Sequence, residues 1–201
     1  MHADPVLVTG ATGNVGAAVV AQLLARGGRV RAGVTRPERR SGEVARVEQV
    51  RVDFTDPATF GPALAEARQV FLVRPPAIAR VGPTLNAFID AAAAAGVEHV
   101  VFSSVAGAEH RRIVPHHRIE THLARSGLAW TMLRPGFFPT LERLLGRRPR
   151  DLDEYIRDHL ATWVRAWVPG ERGELRPTLV RRGDRRGQRA LTVVRPLGSS
   201  P

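Results

Sequence analysis

Short apolar, β-branched runs alternate along the first two thirds of the chain with alanine-rich stretches whose apolar positions recur every three or four residues. The runs predict strands over 6–9, 29–35, 48–52, 69–73, 98–103 and 129–133. Between them the helical period predicts a helix over 14–26, with Val15, Val19, Val20, Leu23 and Leu24 on one stripe. A second helix opens at Asp56-Pro57, an N-cap followed by an N1 proline. Others are expected over 84–95 and 115–125. Gly27-Gly28, Gly96 and Ser126-Gly127 close helices, while Pro75-Pro76 and Pro135 stop strands. Strands alternating with helices at this spacing indicate an α/β chain with a parallel sheet.

Beyond Gly136 the rhythm changes. Residues 141–145 and 151–168 read as helices, the second capped by Asp151 and carrying Leu152, Tyr155, Ile156, Leu160 and Trp163 at helical spacing. Residues 169–201 hold Gly, Pro and Arg without a sustained period, apart from one short strand-like run over 191–194. No internal repeat is found.

Composition changes this picture in three places. The chain has 201 residues and 43% hydrophobic residues, enough for a sizeable core in one large domain or one domain with an appendage. It has no cysteine, which excludes disulfides, zinc–thiolate sites and thiol nucleophiles. No metal site is expected. No run reaches the roughly 20 apolar residues of a membrane span, and no leader pattern opens the chain, so a soluble cytoplasmic protein is the expectation. The net charge of +11 comes from arginine alone, lysine being absent. Eight arginines against three acidic residues fall within 169–201, so the rest of the chain has only a mild excess. That distribution argues against nucleic acid as the partner.

The chemistry begins at Gly10-Ala11-Thr12-Gly13-Asn14-Val15-Gly16. The Gly-x-x-Gly-x-x-Gly spacing directly follows an apolar strand and opens a helix, the context that a dinucleotide-binding βαβ unit requires. Gly10 permits the tight turn, Gly13 lets backbone approach a pyrophosphate, and Gly16 lets the helix pack close to the sheet. The helix N-terminus offers free N–H groups and its positive dipole end to phosphate, and Thr12 and Asn14 can add side-chain donors. The expected fold is accordingly a Rossmann-like, doubly wound parallel sheet with a reduced helical C-terminal region and a basic tail.

The second strand selects the nucleotide. An acidic residue at its end would bond both ribose hydroxyls of NAD, but this chain has Val34-Thr35-Arg36, with Arg39 and Arg40 beyond. A guanidinium can grip a 2′-phosphate bidentately, so NADP(H) is the expected cofactor and Arg36 the residue that reads it. Asp53-Phe54, Val73-Arg74-Pro75-Pro76 and Ser103-Ser104-Val105 stand at three further strand ends. Ligands in open α/β sheets sit at that edge, so Asp53, Phe54, Val73, Arg74, Pro75 and Ser103 join Gly10, Thr12, Gly13, Asn14, Val15, Gly16 and Arg36 as candidate cofactor contacts.

With Phe102-Ser103-Ser104, Ser126-Gly127-Leu128 and Leu133-Arg134-Pro135-Gly136, these motifs resemble the NmrA-like group of atypical short-chain dehydrogenases/reductases nearly continuously over 5–139. The resemblance implies an NADP(H)-binding Rossmann domain over 1–139 and a C-terminal substrate region. It implies either an NADPH-dependent reductase of quinone-like or other carbonyl substrates, or a non-catalytic NADP(H)-sensing regulator working through a protein partner. The tyrosine–lysine pair of ordinary short-chain reductases is absent, since Tyr155 is the sole tyrosine. At the helix where the group often carries His-x-x-x-Glu, this chain reads His116-His117-Arg118-Ile119-Glu120. His117 and Ser104 are therefore the candidate catalytic residues.

The chain also departs from the group. After Phe137-Phe138, where a further strand and substrate-covering helices are expected, Pro139-Thr140 runs directly into Leu141-Glu142-Arg143. The pattern reads as an internal deletion near residue 140, with 140–168 a helical remnant of the substrate region and 169–201 a basic, flexible tail. The apolar face thereby opened would need the 152–168 helix or a second subunit as cover, which leaves a homodimer or a protein partner open.

Overall fold

The computed structural model describes residues 4–37, 42–135 and 191–194. Six parallel strands form one sheet: β1 (Val6–Thr9), β2 (Val30–Val34), β3 (Glu48–Arg51), β4 (Gln69–Val73), β5 (His99–Ser103) and β6 (Ala129–Pro135). A seventh strand, β7 (Leu191–Val194), pairs antiparallel with β6. The order is β3-β2-β1-β4-β5-β6-β7, so the chain reverses direction between β1 and β4 and the sheet is doubly wound.

Among the described residues four α-helices flank it: α1 (Asn14–Ala25), α2 (Phe60–Leu64), α3 (Ala87–Ala94) and α4 (Pro115–Leu123). The strands alternate between two cores, as a period of two demands. Leu7, Val70, Leu72, Val100 and Phe102 enter the core shared with α2, α3 and α4. Val8 and Phe71 point to the other face, where Val19 and Val20 of α1 pack on them. Phe88 of α3 anchors the first core, meeting Phe54 and Phe60 edge-on at centroid distances of 5.3 and 5.2 Å.

The expected strands are all present, with ends shifted by a residue or two. Three helices begin or end differently. Asp56 caps as expected, accepting from the Ala58 N–H, but it opens a 3₁₀ turn over Pro57–Thr59 that precedes α2. The helix expected over 84–95 starts two residues earlier, as a π-helical turn over Gly82–Asn86 with Pro83 in its first turn. The helix expected over 115–125 ends at Leu123. Residues 191–194, placed in the tail, belong to the sheet. The helices expected over 141–145 and 151–168, and the proposed junction near 140, lie outside the described residues.

Candidate cofactor and active site

The glycine loop links β1 to α1 at the reversal point. Gly10 has φ +60°, a conformation that suits glycine, and its carbonyl accepts from the Gly13 N–H at 2.9 Å. A Cβ on Gly16 would stand 2.2 Å from the Gly10 carbonyl oxygen and 2.9 Å from Ala11 Cα. Only glycine admits this closeness between helix and turn. A Cβ on Gly13 would lie 3.3 Å from that oxygen. Thr12, Gly13 and Asn14 are exposed, Val15 is half-buried, and α1 begins there with Gly13 as its extended N-cap. The N–H groups of the first turn have no intrahelical acceptor and open onto this exposed loop. The loop is a cradle of exposed backbone N–H groups, the arrangement that a helix N-terminus offers to phosphate.

The ends of neighbouring strands surround it. The Thr9 hydroxyl donates to the Phe71 carbonyl at 3.2 Å and accepts from the Val73 N–H at 2.9 Å, fixing the end of β4 against the loop. Arg36, two residues past β2, is exposed and has no side-chain partner among the described residues. Asp53 accepts from the Thr55 hydroxyl and N–H at 2.6 and 2.9 Å. These bonds and the nearby Arg51 hold its carboxyl below the usual aspartate range against a small opposing effect of burial. Phe54, expected to border a nucleotide base, turns its ring into the core and is 5% exposed. Its apolar surface is better satisfied by Phe88 than by a groove open to water. Ser103 is half-buried at the end of β5.

A buried network then joins three elements. The Ser104 hydroxyl donates to Glu120 Oε1 at 2.6 Å, and Arg134 donates to both Glu120 oxygens, at 2.8 and 2.7 Å. Glu109 completes it, 3.4 Å from Arg134 Nε. These bonds and the two carboxylates raise the Arg134 pKa further, outweighing the effect of burial. The Ser104 hydrogen is thereby committed to Glu120, and its side chain is buried. In the sequence Glu120 and Arg134 stand only as members of motifs. The signal for Glu120 was its place on the inward stripe of α4, between buried Ile119 and Leu123.

Two histidines open α4. His117 Nδ1 lies 2.9 Å from the Ala108 carbonyl, and since a carbonyl only accepts, that nitrogen carries the hydrogen. His116 stacks near Phe102 at 6.0 Å and accepts from Arg74 Nε at 3.4 Å through Nε2. Burial, then the Arg74 charge, push its pKa down to about 4 against the opposing pull of Glu120. Arg74 Nη1 also donates to the carbonyls of Pro75, Pro76 and Ile78, at 3.1, 3.2 and 2.6 Å. Among the described residues no group of three or more His, Asp or Glu could hold a metal, and no helix is long and apolar enough to cross a membrane.

Sheet order, glycine cradle and open helix terminus together define a Rossmann-type dinucleotide-binding domain. A family model described as NAD(P)H-binding matches residues 10–156. The chain is 34% identical over 170 residues to the NAD(P)H azoreductase of Xenophilus azovorans, covering 80% of this chain and 59% of that one. It superposes on the NADPH-dependent quinone oxidoreductase QOR2 of Escherichia coli, solved with NADPH, at a TM-score of 0.61 and 27% identity. That match covers 66% of this chain and 49% of the other. A mutant NmrA shares the fold at a TM-score of 0.55 and 21% identity, over 66% and 45% of the two chains. The chain belongs to the NAD(P)H-binding family. It spans about half the length of the curated relatives it matches.

Proposed function

We propose that this chain is an NADPH-dependent reductase acting on quinone-like or other carbonyl substrates. The observation that carries the reading is the pairing of the Gly10–Gly16 cradle with an exposed, carboxylate-free Arg36 at the end of β2. Gly10, Thr12, Gly13, Asn14, Val15 and Gly16 would hold the pyrophosphate and Arg36 the 2′-phosphate, with Asp53 beside the adenosine half. The strand order then leaves Val73, Arg74, Pro75 and Ser103 for the nicotinamide half, since β4 and β5 lie on the opposite side of β1 from β2. Bound NADPH supplies a hydride to an electron-poor carbon.

The chain's part is to place the substrate and to hold the proton and charge that follow. His117 in its protonated form presents an Nε2–H donor, while the Ala108 carbonyl on Nδ1 fixes the ring. It is the proposed donor to the reduced oxygen. Ser104, its hydroxyl committed to Glu120, acts here by positioning the end of β5 against α4. The same commitment favours a second reading, a non-catalytic NADP(H) sensor acting through a protein partner. Lysine is absent and the sole tyrosine is Tyr155, so the tyrosine–lysine pair itself is missing from this chain.

Titration of the purified chain with NADPH and NADH, followed by NADPH oxidation against a panel of quinones, decides between them. Tighter NADPH binding with quinone-dependent oxidation is expected. Tight binding without turnover on any quinone would leave the sensor, and equal or absent binding of both nucleotides would sink both readings.

A further inference from the structure

Among the described residues only three arginines are withdrawn from the open surface: Arg31, Arg74 and Arg134. Arg31 is paired with Glu48 at 2.6 Å, and Arg134 with Glu120 and Glu109. Arg74 has no carboxylate partner among the described residues. Glu120, the carboxylate that acts on the neighbouring His116, has its two oxygens already taken by Arg134 and Ser104. Arg74 Nε is spent on His116 and Nη1 on three carbonyls, which leaves Nη2 without a partner among the described residues.

A half-buried guanidinium with no counterion is costly unless an anion arrives. The anions of the cofactor have other receptors. On the reading proposed above, the pyrophosphate sits on the α1 terminus and the 2′-phosphate on Arg36, on the β2 side of the reversal point. Arg74 follows Val73 on the other side, and its side chain reaches His116 of α4. The nicotinamide half brings no further phosphate there.

We infer that Arg74, held in plane by His116, is a specificity residue for an oxyanion carried by the substrate, so that the preferred substrates are conjugated carbonyls bearing a sulfonate, carboxylate or phosphate. The Nε–H donated to His116 leaves the free Nη2 edge of the guanidinium for that oxyanion. His116 is held neutral by its surroundings and adds no competing charge.

The inference rests on the reductase reading for its substrate but can be tested apart from it. Two probes suffice: 1,4-naphthoquinone and its 2-sulfonate. Binding of each to the NADP⁺-loaded chain is measured by calorimetry, and turnover by NADPH oxidation, in wild type, Arg74→Gln and Arg74→Lys. The wild-type preference for the sulfonate, as a ratio to the neutral quinone, should fall about tenfold or more in Arg74→Gln, the usual reach of a charge-assisted bond. It should persist in part in Arg74→Lys, which keeps the charge and can still reach the loop carbonyls. If neither probe is turned over but the sulfonate binds in an Arg74-dependent way, the inference stands and the reductase reading falls. It is overturned by a wild type indifferent to the sulfonate, or by an Arg74→Gln variant with an unchanged ratio, which would make Arg74 a loop staple only. It is also overturned if Arg74→Gln loses NADPH affinity as steeply as sulfonate affinity, since the oxyanion would then be the cofactor's.

Discussion

Replacing Gly16 by alanine tests the close approach on which the cofactor cradle depends. The new methyl would sit 2.2 Å from the Gly10 carbonyl oxygen, 2.7 Å from its carbon and 2.9 Å from Ala11 Cα, where real contacts stay beyond about 3.0 Å. All three atoms are backbone, so no side-chain rotation relieves the clash. Either α1 slides outward by roughly 0.8 Å or the turn opens. Sliding strains the packing of Val19 and Val20 on the second core; opening strains the Gly13-to-Gly10 and Ala11-to-Gly33 hydrogen bonds. Overpacking of this kind costs about 1–3 kcal/mol and should lie at the upper end here. Alanine returns about 0.5–1 kcal/mol through its helix propensity. The net loss is about 2 kcal/mol, or a fall of about 4–8 °C in Tm for a chain of this size.

Differential scanning calorimetry of three variants checks this. Gly61→Ala in α2, where a Cβ meets nothing within 4 Å, should hold or raise Tm. Gly13→Ala has a single 3.3 Å contact and should keep the fold while weakening NADPH binding about tenfold, because its methyl stands in the phosphate's path. A Gly16→Ala protein melting within about 2 °C of wild type would refute the packing argument. Wild-type NADPH affinity in both loop variants would refute the assignment of the cradle to pyrophosphate.

Four further outcomes follow from the same geometry. Arg36→Asp should weaken NADPH binding about 10–100-fold and shift the preference toward NADH in a fluorescence titration; unchanged NADPH affinity would place the 2′-phosphate elsewhere. Glu120→Ala leaves Arg134 with Glu109 alone and Ser104 without its acceptor, a loss of about 3–5 kcal/mol by urea denaturation. A loss below about 1 kcal/mol would mean that the network contributes little to the frame. Phe88→Ala, removing a ring 1% exposed and in contact with two others, should cost about 3–5 kcal/mol in the same assay, and a near-neutral result would contradict the core described. His116 is held neutral down to about 4, whereas the unfolded chain protonates it near 6.5. The unfolded state therefore binds the proton first, so this contribution is full above pH 6.5 and is lost as pH falls toward 4. Urea midpoints at pH 7 and 5 should differ less in His116→Gln than in wild type; equal differences would exclude His116 as the source.

The sheet was legible because its strands are short β-branched bursts with punctuation at both ends, and because Leu7 and Val8 already alternate in the sense the two cores require. The loop was legible because three glycines at fixed spacing have one geometric purpose, and the 2.2 Å contact at Gly16 shows its severity. What escaped depends on distance along the chain. Ser104, Glu120 and Arg134 lie 16 and 14 residues apart, and no local period announces that they will share hydrogen bonds. Phe54 misled for a related reason. Its position at a strand end suggested a groove, but the competing demand of Phe88, 34 residues on, drew the ring inward. The antiparallel β7 was visible only as an apolar run, since its partner is set by tertiary pairing and not by composition.

Charge shows the same division between count and placement. A net charge of +11 describes a sequence rich in arginine and names no partner. Placed in the fold, the arginines separate by what surrounds them. Arg31 and Arg134 are spent on carboxylates that the chain itself supplies, and Arg68 bridges Asp4 and Glu98 on the surface. Arg36 and Arg74 stand at the ends of β2 and β4, either side of the glycine loop, with no carboxylate of their own among the described residues. Water can serve the exposed Arg36 until a phosphate replaces it, at little cost. It serves the half-buried Arg74 less well, and burial already lowers the pKa of that guanidinium. The two unmatched cations thus ask for anions of different standing. On the reading proposed above, the one at β2 chooses between nucleotides, and the one at β4 gains most from a ligand that stays bound while its carbonyl is reduced.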